Sequence, residues 1–334
     1  MKKQILYVLS FALVLGLSSC GKSKSDSEEG NAKKNLENLS VIACDQTFEN
    51  VIQDEIEVYE YIYPKEHILP YYLSESACVD SFMNQAVKSI VIPRELTPEE
   101  IKYLSAKKQN PRSQQIAVDA IALIVNKDNP LDILSTDELS EILSGKVKKW
   151  DELSPSKLGE IEVVFDDAGS STVKYMRDKL TGGEPIAAKV YAQGNCPKVI
   201  EAVKTHKNAI GFIGVSWLQS NLDGQTMPST ADKAKILEKN DTTELTGSDA
   251  AFNPDIKVLK IREADKVQAF KPYQADIYNG DYPFYRPIYM ITTATGGMAS
   301  HRFFSFVTGV QGQKILLTTG VMPAIVNTKR VELR

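Results

Sequence analysis

Residues Val163 to Met176 read Val-Val-Phe-Asp-Asp-Ala-Gly-Ser-Ser-Thr-Val-Lys-Tyr-Met. A short apolar strand turns through Gly, Ser and Thr, and then Val173, Met176 and Leu180 recur at helical spacing. A strand leading directly into a helix is the repeating unit of an α/β fold. The turn also has a chemical meaning. A helix start carries N–H groups without intrahelical partners and a partial positive charge, so small hydroxyl residues there can cradle a small anion. Ser170 can equally act as an ordinary helix cap, and these residues alone leave both readings open.

The same alternation runs along the chain. Leu39 to Ala43 reads as a strand, and Asp45-Gln46-Thr47 leads into a helix carrying Phe48, Val51, Ile52, Tyr59 and Ile62, broken at Pro64 and Pro70. Ser89 to Ile92 is a second strand. Thr97-Pro98-Glu99-Glu100 then supplies a cap, a first-turn proline and a Glu three residues after the cap. Ile116 to Asn126 is long, apolar and rich in β-branched residues, which suits a strand through the middle of a protein. Ser135 to Glu138 is another capping box, with its helix ending before Gly145. Ala209 to Val215 predicts a buried strand with close backbone approach at its glycines, and Gln219 to Pro254 reads as polar loops with one helix near Ala231 to Leu237. A Pro- and aromatic-rich crossing from Tyr282 to Ile291 and a helix carrying Phe303, Phe304, Phe306 and Val307 follow. The aromatic cluster Tyr278, Tyr282, Phe284, Tyr285 and Tyr289 fits packing between domains better than a ligand wall.

The N-terminus reads as targeting. Lys2 and Lys3 precede an apolar stretch, Ile5 to Leu17, too short to span a bilayer, which ends in Leu17-Ser18-Ser19-Cys20-Gly21. A small-residue cleavage site set against a cysteine resembles the bacterial lipoprotein signal, which implies cleavage after residue 19 and lipidation of Cys20. Residues 20–37 are polar and fit a flexible tether. The net charge of −4 and the pI near 5.6 argue against a nucleic-acid surface. Cys44, Cys78 and Cys196 lack zinc-like spacing; a Cys44–Cys78 disulfide and buried free thiols both remain open. His67, His206 and His301 share no ligand spacing, and the sequence beyond residue 23 has no Gly-x-Ser-x-Gly, His-Glu-x-x-His or Walker A motif. No metal or cofactor is therefore expected.

Three segments can converge on one anion: Asp45 to Phe48, Pro93 to Thr97 with Arg94, and Asp166 to Thr172. A guanidinium suits a tetrahedral oxyanion because it donates two parallel hydrogen bonds. With these segments in order, the chain resembles the PstS-type phosphate-binding proteins of ABC importers, and among them the lipoprotein members of Bacteroidetes-type bacteria. Thr47-Phe48 is similar to the family's first phosphate turn, and Gly169-Ser170-Ser171-Thr172 to its Gly-Ser-Gly-Thr turn. The resemblance also takes in Ile116 to Asn126 with Asn129-Pro130, Leu134 to Gly145 with Trp150-Asp151, and Ala209 to Phe212. It closes with Tyr282 to Tyr289, Gly312-Gln313 and Gly320 to Pro323.

The resemblance implies an α/β, two-lobed, periplasmic-binding-protein-like fold of type II, with a ligand cleft between lobes joined by two crossing strands. Residues 38–117 and 285–334 would form lobe one, and 118–284 lobe two. It further implies a non-catalytic monomer that binds inorganic phosphate, or a similar oxyanion, for an ABC permease. The protein would be held to the lipid bilayer through Cys20, on the periplasmic side of the inner membrane or at the outer membrane. The implied phosphate contacts are Thr47, Phe48, Arg94, Asp166, Gly169, Ser170, Ser171 and Thr172. The family's Arg before the Gly-Ser-Gly-Thr turn and its lobe-one Asp are replaced here by Asp166 and Arg94, which reads as a charge swap across the cleft. A carboxylate there would accept the proton of hydrogen phosphate and repel sulfate. Two rival readings are a sensing or storage module without a transporter and an envelope phosphatase built on Asp166, Asp167 and Ser170.

Overall fold

The computed structural model describes residues 38–219, 229–238, 254–293 and 297–325. The leader, Cys20 and the tether lie outside the described residues, as does much of the loop region before Pro254. From Asn38 onward the chain forms one unit.

The strands are β1 (Leu39–Asp45), β2 (His67–Leu73), β3 (Ser89–Ile92), β4 (Pro111–Asn126), β5 (Ile133–Ser135), β6 (Glu162–Phe165), β7 (Val190–Ala192), β8 (Ala209–Gly214), β9 (Ile256–Val258), β10 (Lys260–Arg262), β11 (Tyr285–Thr293) and β12 (Met322–Pro323). The helices are α1 (Glu49–Ile62), α2 (Glu75–Met83), α3 (Pro98–Ala106), α4 (Thr136–Leu143), α5 (Ser171–Leu180), α6 (Cys196–Thr205), α7 (Ser216–Gln219), α8 (Thr230–Glu238), α9 (Gln274–Asn279), α10 (Gly297–Thr308) and α11 (Val310–Thr318).

One sheet organises the site. Its order is β2-β1-β3-β11-β4-β8-β6-β7, with β12 and β9 also pairing with β4. β4 is 16 residues long and belongs to two neighbourhoods. Its first part, Pro111 to Ala120, runs antiparallel to β11; Ile121 to Val125 runs antiparallel to β8. The strands β1, β2 and β3 are mutually parallel on one side, and β6, β7 and β8 on the other. From Ala120 to Asn126 every residue of β4 is buried, so both faces must be apolar, which explains the unbroken run in the sequence. The chain returns beside it at residues 282–285, where the Ile121 amide donates to the Phe284 carbonyl and the Tyr282 hydroxyl to the Ile121 carbonyl.

Local signals place the helices. Thr97 and Ser135 form complete capping boxes, and Ser170 caps α5 by accepting from the Val173 amide. Several elements differ from the sequence reading. Pro70 sits inside β2 rather than breaking the chain, because β2 is an edge strand and tolerates a residue without an N–H. Helices α2 and α6 start at the caps Ser74 and Asn195 and bury Cys78, Val79 and Phe82, and Val199, Ile200 and Val203. Gly211 is where α6 presses on β8: a Cβ there would stand 2.8 Å from Val199 Cγ1. Cys44, Cys78 and Cys196 are free, buried thiols. Cys44 and Cys78 belong to separate apolar clusters, Cys78 packing with Ala43, Val79 and Phe82.

One buried group on α1 is costly. Glu55 is fully buried, and neither carboxyl oxygen has a hydrogen-bond partner among the described residues. Burial pushes its carboxyl well above the ordinary range, and Asp54 adds to the rise. A carboxyl kept neutral by the fold but free to ionise in the unfolded chain lowers stability as pH climbs above about 4. Glu55→Met should therefore stabilise the protein by about 1–3 kcal/mol near neutral pH and by less at acid pH. Urea melts across that range test this; a pH-independent gain would refute it.

Candidate functional site

The site is assembled from strand ends that the sheet brings together. β1 ends at Asp45, and a single 3-10 turn, Gln46–Phe48, leads into α1. Asp45 Oδ1 accepts from the Thr47 amide (2.9 Å) and the Thr47 hydroxyl (2.9 Å), which fixes that turn. β6 ends at Phe165, and Asp166 to Ser170 lead into α5. Asp166 Oδ1 accepts from the Ser170 hydroxyl at 2.6 Å. Asp167, by contrast, is exposed and takes the Gly169 amide, so the two neighbouring acids have different roles.

Between these turns lies a charge pair from the central strands. Arg286 and Asp119 are register partners across β11 and β4. Arg286 Nε and Nη2 donate to Asp119 Oδ2 at 3.1 and 3.0 Å. Gly214 on β8 leaves room for this carboxylate, since a Cβ there would stand 3.1 Å from Asp119 Oδ2. The guanidinium then reaches both turns at once: Nη1 donates to Ser171 Oγ at 2.8 Å and Nη2 to Thr47 Oγ1 at 3.1 Å. Its carbon lies 4.8 Å from the Phe48 ring centre. Thr47 Oγ1 and Ser171 Oγ are 3.3 Å apart, and Thr47 is tied down further by Trp217 Nε1, which donates to its carbonyl at 2.9 Å.

The cluster is dry. Arg286 is 2% exposed, Asp45 and Asp119 are 0%, and Asp166 is 1%. Burial pushes all three carboxyls above the usual range; Arg286 pulls each back, aided at Asp45 by Thr47 and at Asp166 by Ser170. Asp45 Oδ2 and Thr172 Oγ1 are buried without a hydrogen-bond partner among the described residues. Ser171 and Thr172 stand in the first turn of α5, where backbone amides lack intrahelical acceptors.

The structure thus brings together Thr47, Phe48, Asp166, Ser170, Ser171 and Thr172, with Gly169 at the exposed rim. It takes Arg94 elsewhere. Arg94 Nε donates to Glu75 (2.7 Å) and its Nη atoms donate to Glu100 (2.8 and 3.0 Å). Two carboxylates hold the guanidinium that the sequence had assigned to the site. Glu75 also accepts from Lys174 Nζ at 2.9 Å, which links α2 to α5 one turn beyond Ser171. The positive charge at the Thr47–Ser171 cluster is that of Arg286, and its partner is Asp119. Asp119 interrupts the otherwise apolar run Ile116 to Val125, and Arg286 the run Tyr285 to Ile291, and a lone buried charge of each sign is the signal that could have paired them.

The arrangement gathers hydroxyl and guanidinium groups of the kind that can donate to a small anion. Among the described residues no group of three His, Cys, Asp or Glu is placed to hold a metal ion, and His67 and His206 pair with Glu60 and Glu162 away from the cluster. Among the same residues no helix is long and apolar enough to cross a membrane.

Comparisons with known proteins bear on the family and the fold. A family model described as a PBP superfamily domain matches residues 27–309. The phosphate-binding protein PstS of Staphylococcus haemolyticus is 23% identical over 271 residues, 79% of this chain and 84% of that protein. PstS of Staphylococcus saprophyticus is 25% identical over 201 residues; the match covers 60% of this chain and only 52% of that protein, about half its length. Among solved structures, a protein from Clostridium perfringens with bound phosphate aligns with a TM-score of 0.65 at 20% identity. It covers 86% of this chain and 100% of its own.

Replacing Arg286 with Met should strand Asp119 as an unpaired buried charge and cost about 3–5 kcal/mol. Adding Asp119→Leu to Arg286→Met should recover most of that loss. Denaturant unfolding of the two single variants and the double variant measures the coupling; strictly additive losses would contradict the pairing.

Proposed function

The chain belongs to the PBP superfamily, and from that premise we propose that it binds inorganic phosphate between its two groups of strands and delivers it to an ABC permease. The observation that carries the reading is the guanidinium of Arg286, which donates to a hydroxyl at each of two helix starts, Thr47 and Ser171. A tetrahedral oxyanion seated there would take over those donors, with the unpaired Thr172 hydroxyl and the first amides of α5 as additional ones. The relatives named for phosphate binding support the choice of ligand.

The two halves of the site would meet by hinge closure, with residues 38–117 and 285–334 as one lobe and 118–284 as the other. β4 and the return segment at 282–285 would be the two crossings. Contacts between the halves support this motion: Lys174 on Glu75, Tyr175 Oη donating to the Tyr285 carbonyl at 2.9 Å, and Ser216 with Asn50 at 3.2 Å. The loaded, closed form is the one a permease would recognise. Residues 1–19 would be the lipoprotein signal and Cys20 the lipidated residue that holds the protein, as a monomer, at the cell envelope. The binding reading is preferred to a phosphatase because the Ser170 hydroxyl already serves as a helix cap and is bonded to Asp166, with no histidine bonded to it among the described residues.

Calorimetry against phosphate, arsenate, sulfate and molybdate tests the assignment. Saturable phosphate binding is expected, with Arg286→Ala weakening it by about a hundredfold, close to 2.7 kcal/mol. Turnover of a chromogenic phosphate ester, with or without a divalent metal, would overturn the binding reading.

A further inference from the structure

A cavity of about 740 Å³ opens where the end of α1 meets α10 and the start of α11, and it shares no lining residue with the Arg286 cluster. Tyr59, Tyr63 and Phe306 give it an aromatic wall. The ring centre of Tyr59 stands 4.9 Å from that of Tyr63 and 5.1 Å from that of Phe306, and Phe303 backs Tyr59 at 5.2 Å. Glu66 also lines the cavity and is buried. Its carboxylate is engaged at both oxygens: Oε2 accepts from the Tyr59 hydroxyl and Oε1 from Arg302 Nη1. The Arg302 side chain stays half-exposed, so its guanidinium can still meet an anion from outside.

Exposed apolar side chains surround this cavity. Met298, 66% exposed, and the exposed Tyr63 line it. Tyr61 lies two residues before Tyr63, and Val310 adjoins the lining residue Gln311; both are exposed. Lys65, also exposed, precedes Glu66. Single exposed apolar residues are ordinary on a protein surface, whereas a patch of them around a cavity marks an interaction face. The residue types narrow the partner. Tyrosine suits a membrane–water interface, where its ring is in apolar surroundings and its hydroxyl stays wet. Basic side chains beside such rings attract anionic headgroups. The course of the chain points the same way. The His67 amide, next to Glu66, donates to the Asn38 carbonyl at 2.9 Å, so the chain enters the folded body beside this cavity. Cys20 is 18 positions before Asn38, and covalent geometry limits that span to about 65 Å. A body held by lipid at Cys20 is drawn to the bilayer by this end.

We propose that the face formed by Tyr61, Tyr63, Lys65, Met298, Arg302 and Val310 rests on a phospholipid bilayer. The tyrosines, Met298 and Val310 sit at the boundary between headgroups and acyl chains, and Lys65 and Arg302 meet anionic headgroups. The cavity between Met298 and the aromatic wall receives the apolar end of a lipid. The inference rests on lipidation of Cys20, proposed above, and adds the surface by which the folded body meets the membrane. The acyl chains hold the protein, and the face sets how the body stands. Phosphate then reaches a permease from one orientation instead of many. The phosphate reading itself is independent of this face, because the two share no residue.

The test uses the mature lipidated protein in vesicles of equimolar phosphatidylglycerol and phosphatidylcholine, prepared with and without bromine on the acyl chains. Both tryptophans of the chain, Trp150 and Trp217, are buried. Met298→Trp therefore adds an exposed reporter on the face, and Val267→Trp, at a position 94% exposed on the loop after β10, adds one elsewhere. The expected result for Met298→Trp is a blue shift and, in brominated vesicles, loss of most of the added emission, with neither change for Val267→Trp. Tyr61→Ser and Tyr63→Ser, added to Met298→Trp, should weaken the quenching. Emission unchanged on vesicles, or quenched equally at the two positions, would overturn the assignment of the face. A blue shift without bromine quenching would show burial against a second copy or another protein, and would overturn it as well. Mass spectrometry of the purified protein separates the inference from its premise. A mature chain without a diacylglyceryl group on Cys20 would overturn the anchor reading, whereas a lipidated chain whose Met298→Trp form is unquenched would overturn the face alone.

Discussion

The pairing of Arg286 with Asp119 is the interaction on which the site depends. Both residues sit in the central strands, directly opposite in register, where β4 passes from one group of strands to the other. Taking two charges out of water is expensive, and their mutual attraction repays it only with good geometry and further hydrogen bonds. Here Asp119 Oδ2 accepts from two guanidinium nitrogens and two further Arg286 N–H groups go to hydroxyls, while Asp119 Oδ1 has no hydrogen-bond partner among the described residues. Those hydroxyls, Thr47 and Ser171, begin α1's lead-in turn and α5 respectively. The buried pair therefore does more than contribute stability: it orients one guanidinium toward two helix starts that come from opposite sides of the sheet.

That geometry is why the proposed anion site falls at this place in the fold. Open α/β sheets present helix starts at the carboxyl ends of their strands. β1 and β6 each deliver such a turn, and the antiparallel strand β11 supplies the positive charge, Arg286, held by Asp119 of β4. Outside the dry cluster, the Lys174–Glu75–Arg94 contacts form a second, more exposed link between the same two sides. Glu75 is buried, but Arg94 and Lys174 are partly exposed to solvent, which weakens these contacts by screening.

Much of this was legible in the sequence, because local chemistry decides helix starts. The capping boxes at Thr97 and Ser135 and the Ser170 cap form as their spacing predicts, since each satisfies amides within its own turn. The run from Ile116 to Asn126 is the long central strand, and Gly211 is a close approach. The failures are non-local. Pro70 was misread because edge placement depends on which strand lies outermost. Arg94 was placed in the site because it follows a strand and precedes a helix, yet Glu75 and Glu100 claim it through tertiary contacts. Arg286 and Asp119 are separated by 167 positions, so only the register of β11 on β4 reveals them as partners.

The central claim is that Arg286, rather than Arg94, supplies the cation to a phosphate held between Thr47 and Ser171. A crystal structure of the protein grown with phosphate tests it most directly. The account predicts a phosphate with oxygens within hydrogen-bond reach of the Arg286 guanidinium and the Thr47 and Ser171 hydroxyls, with Arg94 still paired to Glu75 and Glu100. A phosphate bound to Arg94, with the Arg286 contacts to Thr47 and Ser171 unchanged, would contradict it.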